Sequence, residues 1–60
     1  MLRTDALMVL HVVAKYPGWI ASGSAKQKEI FETLQALNLT KGLATVEEVY
    51  YAALIALDKI

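Results

Sequence analysis

The side chains that could perform acid–base or metal chemistry are few in this chain. His11 is the sole histidine, and the closest carboxylate pairs are Glu29 with Glu32 and Glu47 with Glu48. A carboxylate pair acts as general acid and base only where the surroundings of its two members differ. Both pairs fall on helix faces that should be solvated, and His11 falls within an apolar helix. We therefore expect all five residues to be structural or surface residues.

No motif for catalysis, for a cofactor or for a metal accompanies them. The chain has no cysteine, which excludes disulfides and thiolate metal sites, and one histidine cannot form a zinc site by itself. The loop at residues 21–24 has too few glycines and lacks the lysine of a phosphate-binding loop. A chain of 60 residues also has little material to enclose a substrate pocket and keep a core. We expect no catalytic, cofactor-binding or metal-binding residue, and thus no enzyme.

The elements that position these residues are predicted by hydrophobic periodicity. Apolar residues recur at helical spacing over residues 4–15, 25–38 and 45–60. The third helix opens with Thr45 and Glu48, which form the pattern of a capping box. Ser24 and Gln27 form the same pattern at the start of the second helix. The sequence therefore predicts one all-α domain over residues 1–60, a compact three-helix bundle.

The connections between these helices contain turn signals. Pro17 ends the first helix, and Pro17-Gly18 has the chemistry of a type II turn. Trp19 and Ile20 follow it, and we expect this apolar pair to fold back over one end of the core. The second helix is predicted to end near residue 38, or one turn later with Gly42 as its C-cap.

Apolar residues extend beyond one face in the first and third helices. The predicted core positions are Leu2, Ala6, Val9, Leu10 and Val13 in the first helix, Ile30, Phe31, Leu34 and Leu37 in the second, and Val46, Val49, Tyr50, Ala53, Leu57 and Ile60 in the third. On the opposite faces lie Tyr51 and Ile55, one turn apart, and Met8 with Val12. These four residues are our predicted protein interface, although packing on a neighbouring loop would also explain Tyr51 and Ile55.

Size and composition favour association with another chain. A domain this small forms a marginal core, and the usual remedies are disulfides, metals or oligomerisation. Hydrophobic residues make up 57% of the chain, which is enough to support oligomerisation. We expect a homo-oligomer, with a dimer favoured, or docking on a larger protein.

The same composition argues against a membrane protein. Apolar runs reach only about half of the roughly 20 residues that a membrane span needs. The net charge is zero, whereas a membrane-active peptide needs a strongly basic face. No signal peptide is recognisable. We therefore predict a soluble, cytoplasmic protein that does not bind membranes.

The order of features resembles the three-helix core of helix-turn-helix and winged-helix domains. A first helix before a Pro-Gly turn, a second helix ending in Ala-Leu-Asn-Leu at residues 36–39, and Thr45-Val46 at the start of the third carry this resemblance. It covers most of the chain and implies DNA binding. The chain departs from this pattern, because the turn before the third helix is longer than in the tightest members and no wing follows. In addition, the positions of the third helix that contact DNA bases in such domains hold Glu47, Glu48 and Tyr51.

Two functions follow from the sequence. The first is a small non-enzymatic, regulatory protein-interaction module that self-associates or docks on a larger partner. The alternative, implied by the resemblance, is a small helix-turn-helix transcriptional regulator that contacts DNA through Lys26, Lys28 and Lys41. Because phosphate neutralisation by basic residues carries DNA affinity, the acidic start of the third helix disfavours this alternative.

Overall fold

The computed structural model describes residues 1–21 and 23–60, with the side chain of Ser24 left aside. It contains three α-helices, α1 (Arg3–Val13), α2 (Ser24–Ala36) and α3 (Val46–Ala56), and a short 3-10 turn (Trp19–Ala21) between α1 and α2. Among the described residues there is no β-strand. The predicted all-α, three-helix architecture is confirmed. Each helix ends earlier than its apolar pattern suggested, by two residues for α1 and α2 and by four for α3.

The core is built mainly between α1 and α3, with α2 packed against both. Its buried members are Ala6, Val9, Val12, Val13, Trp19, Ile30, Leu34, Leu39, Val46, Val49, Ala53 and Leu57. Leu10, Phe31 and Tyr50 are partly buried at its margin. In the described part of the chain no buried side-chain nitrogen or oxygen lacks a hydrogen-bond partner. Among the residues described no polar or charged residue is buried, so the interior is apolar and its stability depends on packing.

Val12 lies in this core, which corrects its assignment to the outer face. Only 7% of its surface is exposed. Because α1 contacts both α3 and α2, its buried arc is wider than the single stripe that periodicity suggests. Ala6, Val9 and Val13 occupy the centre of that arc, and Val12 closes one side of it.

Three predicted core residues are exposed instead: Leu2, Leu37 and Ile60. All three lie beyond the ends of the helices to which the pattern assigned them. Leu2 precedes α1 as its N-cap residue, and Leu37 follows α2 as its C-cap. Ile60 follows the end of α3, where Asp58 has a φ of 55° and breaks the helical spacing.

Hydrogen bonds explain where α3 begins and where α2 and α3 end. At the start of α3 the Thr45 side chain accepts a bond from the Glu48 amide, and the Glu48 side chain accepts one from the Thr45 amide. This is the predicted capping box. Asn38 and Asp58 then adopt positive φ after α2 and α3, and the amides that follow them bond back to Leu34 and Leu54. These are Schellman endings, in which a residue in the left-handed region stops the helix.

The other two cap predictions turned out differently. Gly42 is not the C-cap of α2 but lies in a turn with Lys41, where both residues have positive φ, 79° and 52°. Leu43 N–H donates to Thr40 O across this turn, as in a type I′ turn. The N-cap of α2 is Gly23, without a side-chain bond. The predicted capping box of α2 consisted of Ser24 and Gln27, and the side chain of Ser24 lies outside the described residues.

The turn after α1 matches its prediction. Gly18 has a φ of 76°, and Trp19 N–H donates to Tyr16 O at 3.1 Å. Positive φ at the third position is the condition for a type II turn, and glycine meets it without a Cβ clash. The turn leads directly into the 3-10 turn that carries Trp19 and Ile20.

Candidate protein-interaction surface

The outward face of α3 exposes two large apolar side chains. Tyr51 is 56% exposed and Ile55 is 57% exposed. Their spacing of four residues places them one above the other on the helix. On the opposite side, Val49 and Ala53 are completely buried. One side of α3 therefore builds the core while the other presents apolar surface to solvent.

A groove lies beside this face, between α3 and the 3-10 turn, and we call it the α3 groove. Its volume is about 400 Å³, and its surface is mostly apolar. The lining residues are Trp19, Ile20, Glu47, Glu48, Tyr50, Tyr51 and Leu54. Tyr51 thus belongs to both the outward face and the groove, while Ile55 belongs to the outward face only.

Two packed aromatic rings support the groove. The rings of Trp19 and Tyr50 meet edge to face, with centroids 5.3 Å apart and planes at 74°. Such a pair is worth about 0.5–1.5 kcal/mol beyond its buried area. Gln27 of α2 donates from Nε2 to Trp19 O at 3.3 Å. The 3-10 turn is therefore held against both α2 and α3.

Ile20 is the residue of this site that the sequence interpretation missed. We expected Trp19 and Ile20 to fold back together over one end of the core, but only Trp19 is buried, and Ile20 is 66% exposed. Adjacent residues in a 3-10 turn point about 120° apart, so both cannot face the core. Had 3-10 geometry been predicted after the Pro17-Gly18 turn, the exposure of Ile20 would have followed from it.

The charged residues of the groove are both acidic. Glu48 Oε1 accepts from the amides of Ala44 and Thr45 and from Thr45 Oγ1, at 3.1–3.2 Å. The carboxylate of Glu48 is thereby fixed at the start of α3. Glu47, also exposed, takes no part in the capping box. The lining includes no lysine or arginine among the residues that the structure describes.

Met8 and Val12, the two predicted interface residues of α1, differ in exposure. Met8 is 43% exposed and remains available at the surface, whereas Val12 is in the core. Neither lines the α3 groove as far as the described residues show. Beside Met8, Leu7 is exposed as well.

The three lysines of the DNA-binding alternative do not form one free basic cluster. Lys41 Nζ lies 3.0 Å from the Asp5 carboxylate at the start of α1. Lys26 Nζ lies 3.8 Å from Glu29 and 5.6 Å from the centre of the Tyr16 ring. Lys28 lines a separate hollow of about 250 Å³ beside the start of α3. Two of the three positive charges therefore face a carboxylate of the same chain.

The residues considered for chemistry remain dispersed. His11 is exposed on α1, and Glu29 and Glu32 are exposed on α2. Within the described part of the chain, no three His, Cys, Asp or Glu side chains gather where they could hold a metal ion. Nor does any helix described here have the length and apolarity needed to cross a bilayer.

Comparison of the chain with known protein families, curated proteins and solved structures finds no match. The resemblance to helix-turn-helix domains stays a prediction from the sequence.

Proposed function

We propose that this chain is a non-enzymatic, regulatory protein-interaction module that self-associates or docks on a larger protein through the outward face of α3. The exposure of Tyr51 and Ile55, one turn apart on a helix whose other face is buried, is the observation that carries this proposal. Scattered apolar residues on a surface are ordinary. A pair that borders an apolar groove forms a larger patch, and tyrosine is among the residues enriched at protein interfaces.

The small size of the domain supports the same proposal. Nine large hydrophobic side chains are exposed among the residues described, on a chain of 60 residues. Covering part of this surface with another protein would add apolar burial that the chain cannot supply from its own core. A dimer is the simplest closed arrangement. The cytoplasmic location stays a prediction from the sequence.

The test is sedimentation equilibrium over a wide range of protein concentration. We expect self-association that is lost in the double variant Tyr51→Ser/Ile55→Ser, because the variant removes most of the apolar area of this face. Helicity should be retained, since neither side chain is in the core. Leu7→Ser is the matched control, because Leu7 is as exposed as Ile55 but lies on α1.

The outcomes separate the forms of the proposal. Association that survives the double variant would contradict the α3 face as the contact surface. A monomer at all concentrations would exclude self-association and leave docking on a different protein. The single variant Met8→Ser asks whether α1 extends the surface, as the sequence predicts.

The DNA-binding alternative can be tested on the same preparation. Titration of a fluorescently labelled duplex at two salt concentrations should show binding that weakens steeply with salt, if phosphate contacts carry it. The ion pairs of Lys26 and Lys41 reduce the charge that is free for such contacts. We therefore expect no salt-dependent binding.

A further inference from the structure

We propose that the α3 groove receives one large apolar side chain of a different protein, from a segment in which lysine or arginine flanks that side chain. This inference rests on the proposed function and deepens it, because it states the chemistry of the partner.

The shape and lining of the groove determine the apolar part of the ligand. Its volume of about 400 Å³ lies toward the lower end of the roughly 300–1,000 Å³ that is typical of pockets for small ligands. Ile20 and Tyr51 stand on its two sides, and Trp19 and Tyr50 supply a packed aromatic base. A concave apolar surface that is already formed suits an aromatic or long aliphatic anchor, as interface hot spots do.

The charge of the groove determines the flanking part of the ligand. Glu47 and Glu48 contribute two carboxylates, while the amino end of α3 offsets about half of one charge. The Glu48 carboxylate is held in place by the capping box, so its position is set before any ligand arrives. The rim is therefore negative, and lysine or arginine beside the anchor complements it.

The same charges argue against a two-fold dimer in which the grooves of two copies of this chain face each other. With the groove on the two-fold axis, each groove would meet the identical groove of the other copy. Four carboxylates would then converge, with no lysine or arginine among the described lining residues to pair with them. Like charges brought together at an interface oppose association.

The probes for this inference are three short peptides with blocked ends. Each contains one central Phe as the anchor, flanked on both sides by two lysines, by two serines or by two glutamates. Trp19 is the sole tryptophan of the chain and lies at the base of the groove, so its emission reports occupancy. Anisotropy of fluorescein-labelled peptides gives the affinities independently of Trp19.

We expect the lysine peptide to bind saturably, to change Trp19 emission, and to bind about five-fold or more tightly than the serine peptide at low salt. This advantage should shrink as salt is added, because the groove charges are exposed. The glutamate peptide should not bind measurably. Equal binding of the lysine and serine peptides, or no saturable binding of the lysine peptide, would overturn the inference.

Variants locate the binding and separate it from the proposed function. Ile20→Ser removes one side of the groove and should weaken the lysine peptide about ten-fold, whereas Ile55→Ser, outside the groove, should leave it unchanged. Glu47→Gln should cost two- to five-fold for the lysine peptide and nothing for the serine peptide. Glu48 is kept, because its carboxylate caps α3.

The combined results distinguish a failure of the groove inference from a failure of the proposed function. If Tyr51→Ser/Ile55→Ser abolishes association but no peptide binds, the groove inference is wrong and the proposed function stands. If the chain neither associates nor binds any peptide, both are wrong. If the lysine peptide dissociates an oligomer of this chain, a second copy occupies the groove, which overturns the assignment to a different protein.

Discussion

The first and third helices are equal in length, but they present their outward residues in different settings. Both helices have 11 residues, and each exposes a large apolar pair, Leu7 with Met8 on α1 and Tyr51 with Ile55 on α3. On α3 the 3-10 turn stands beside Tyr51 and makes the surface concave. We therefore place the proposed binding site at the exposed apolar pair that has a neighbouring element beside it.

The two helices also begin differently. The start of α3 is capped by the side chains of Thr45 and Glu48, whereas Leu2 at the N-cap of α1 offers no side-chain acceptor. An amide in the first turn of a helix that has no side-chain acceptor bonds water, or the helix end frays. The helix that carries the groove is thus the one whose start is fixed by its own side chains.

The largest effect is expected from a charge on the inner face of α3. Val49→Asp places an unpaired carboxylate at a completely buried position, which costs several kcal/mol. A domain of this size has a total stability of only about 3–5 kcal/mol. We expect loss of the helical circular dichroism signal.

The matched variant for the outer face is Ile55→Asp, four residues from Tyr51 and exposed. We expect it to retain the helical signal and to prevent association. Val9→Asp on the inner face of α1 should unfold the chain as Val49→Asp does, since both residues are fully buried between the helices. A folded Val49→Asp variant would show that the α1–α3 contact is not the main core.

A smaller effect on stability is expected from substitutions at the N-caps of α3 and α1. Thr45→Ala removes the capping box and should lower the free energy of unfolding by about 1 kcal/mol. Leu2→Asp introduces an acceptor at the N-cap of α1, where φ is −71° and ψ is 150°, and should raise it by a similar amount. Leu2 is exposed, so little apolar burial is lost.

Urea denaturation measures both changes. Glu47→Gln is the control for charge, because Glu47 lies in the first turn of α3 without joining the capping box. Glu47→Gln should lower the free energy of unfolding by less than Thr45→Ala does. Equal losses would mean that the helix dipole, and not the capping bonds, stabilises the start of α3.

The sequence was sufficient for the number of helices, for the capping box of α3 and for the type II turn after α1. These features depend on local chemistry: helical spacing, the Thr45–Glu48 pair and the φ that Gly18 permits. The burial of Val12 could not be predicted from the sequence, because it depends on α1 contacting two helices at once. The end of α2 was predicted near Asn38, where the structure has it within two residues. The end of α3 at Asp58 was missed, because the apolar pattern continues through Leu57 to Ile60.

The candidate site was predicted in part. Tyr51 and Ile55 are exposed as their helical positions implied, although their role as an interface stays a prediction. The groove was not foreseen, because it needs the 3-10 turn to lie against α3, a contact between residues about 30 positions apart in the chain. Periodicity carries no information on such contacts. The Trp19–Tyr50 ring pair, which makes that contact, is visible only in the folded chain.

The smallest effect concerns the ion pair that joins the start of α1 to the loop before α3. Lys41 bonds Asp5 at 3.0 Å while holding a φ of 52°, which lysine adopts at a cost. Lys41→Met keeps this cost and loses the pair, so we expect a loss of about 0.2–1 kcal/mol that vanishes in 1 M salt. Lys41→Asn loses the same pair but suits the turn, because asparagine before Gly42 favours positive φ.

The two variants should therefore differ in stability at high salt. With the ion pair screened, Lys41→Asn should exceed the parent chain in free energy of unfolding by about 0.5 kcal/mol, while Lys41→Met should equal it. Urea denaturation at two salt concentrations measures both. If Lys41→Asn is the less stable variant at high salt, the strain at this turn is smaller than its φ implies. Lys41 would then join α1 to the α3 loop through packing of its stem and not through charge.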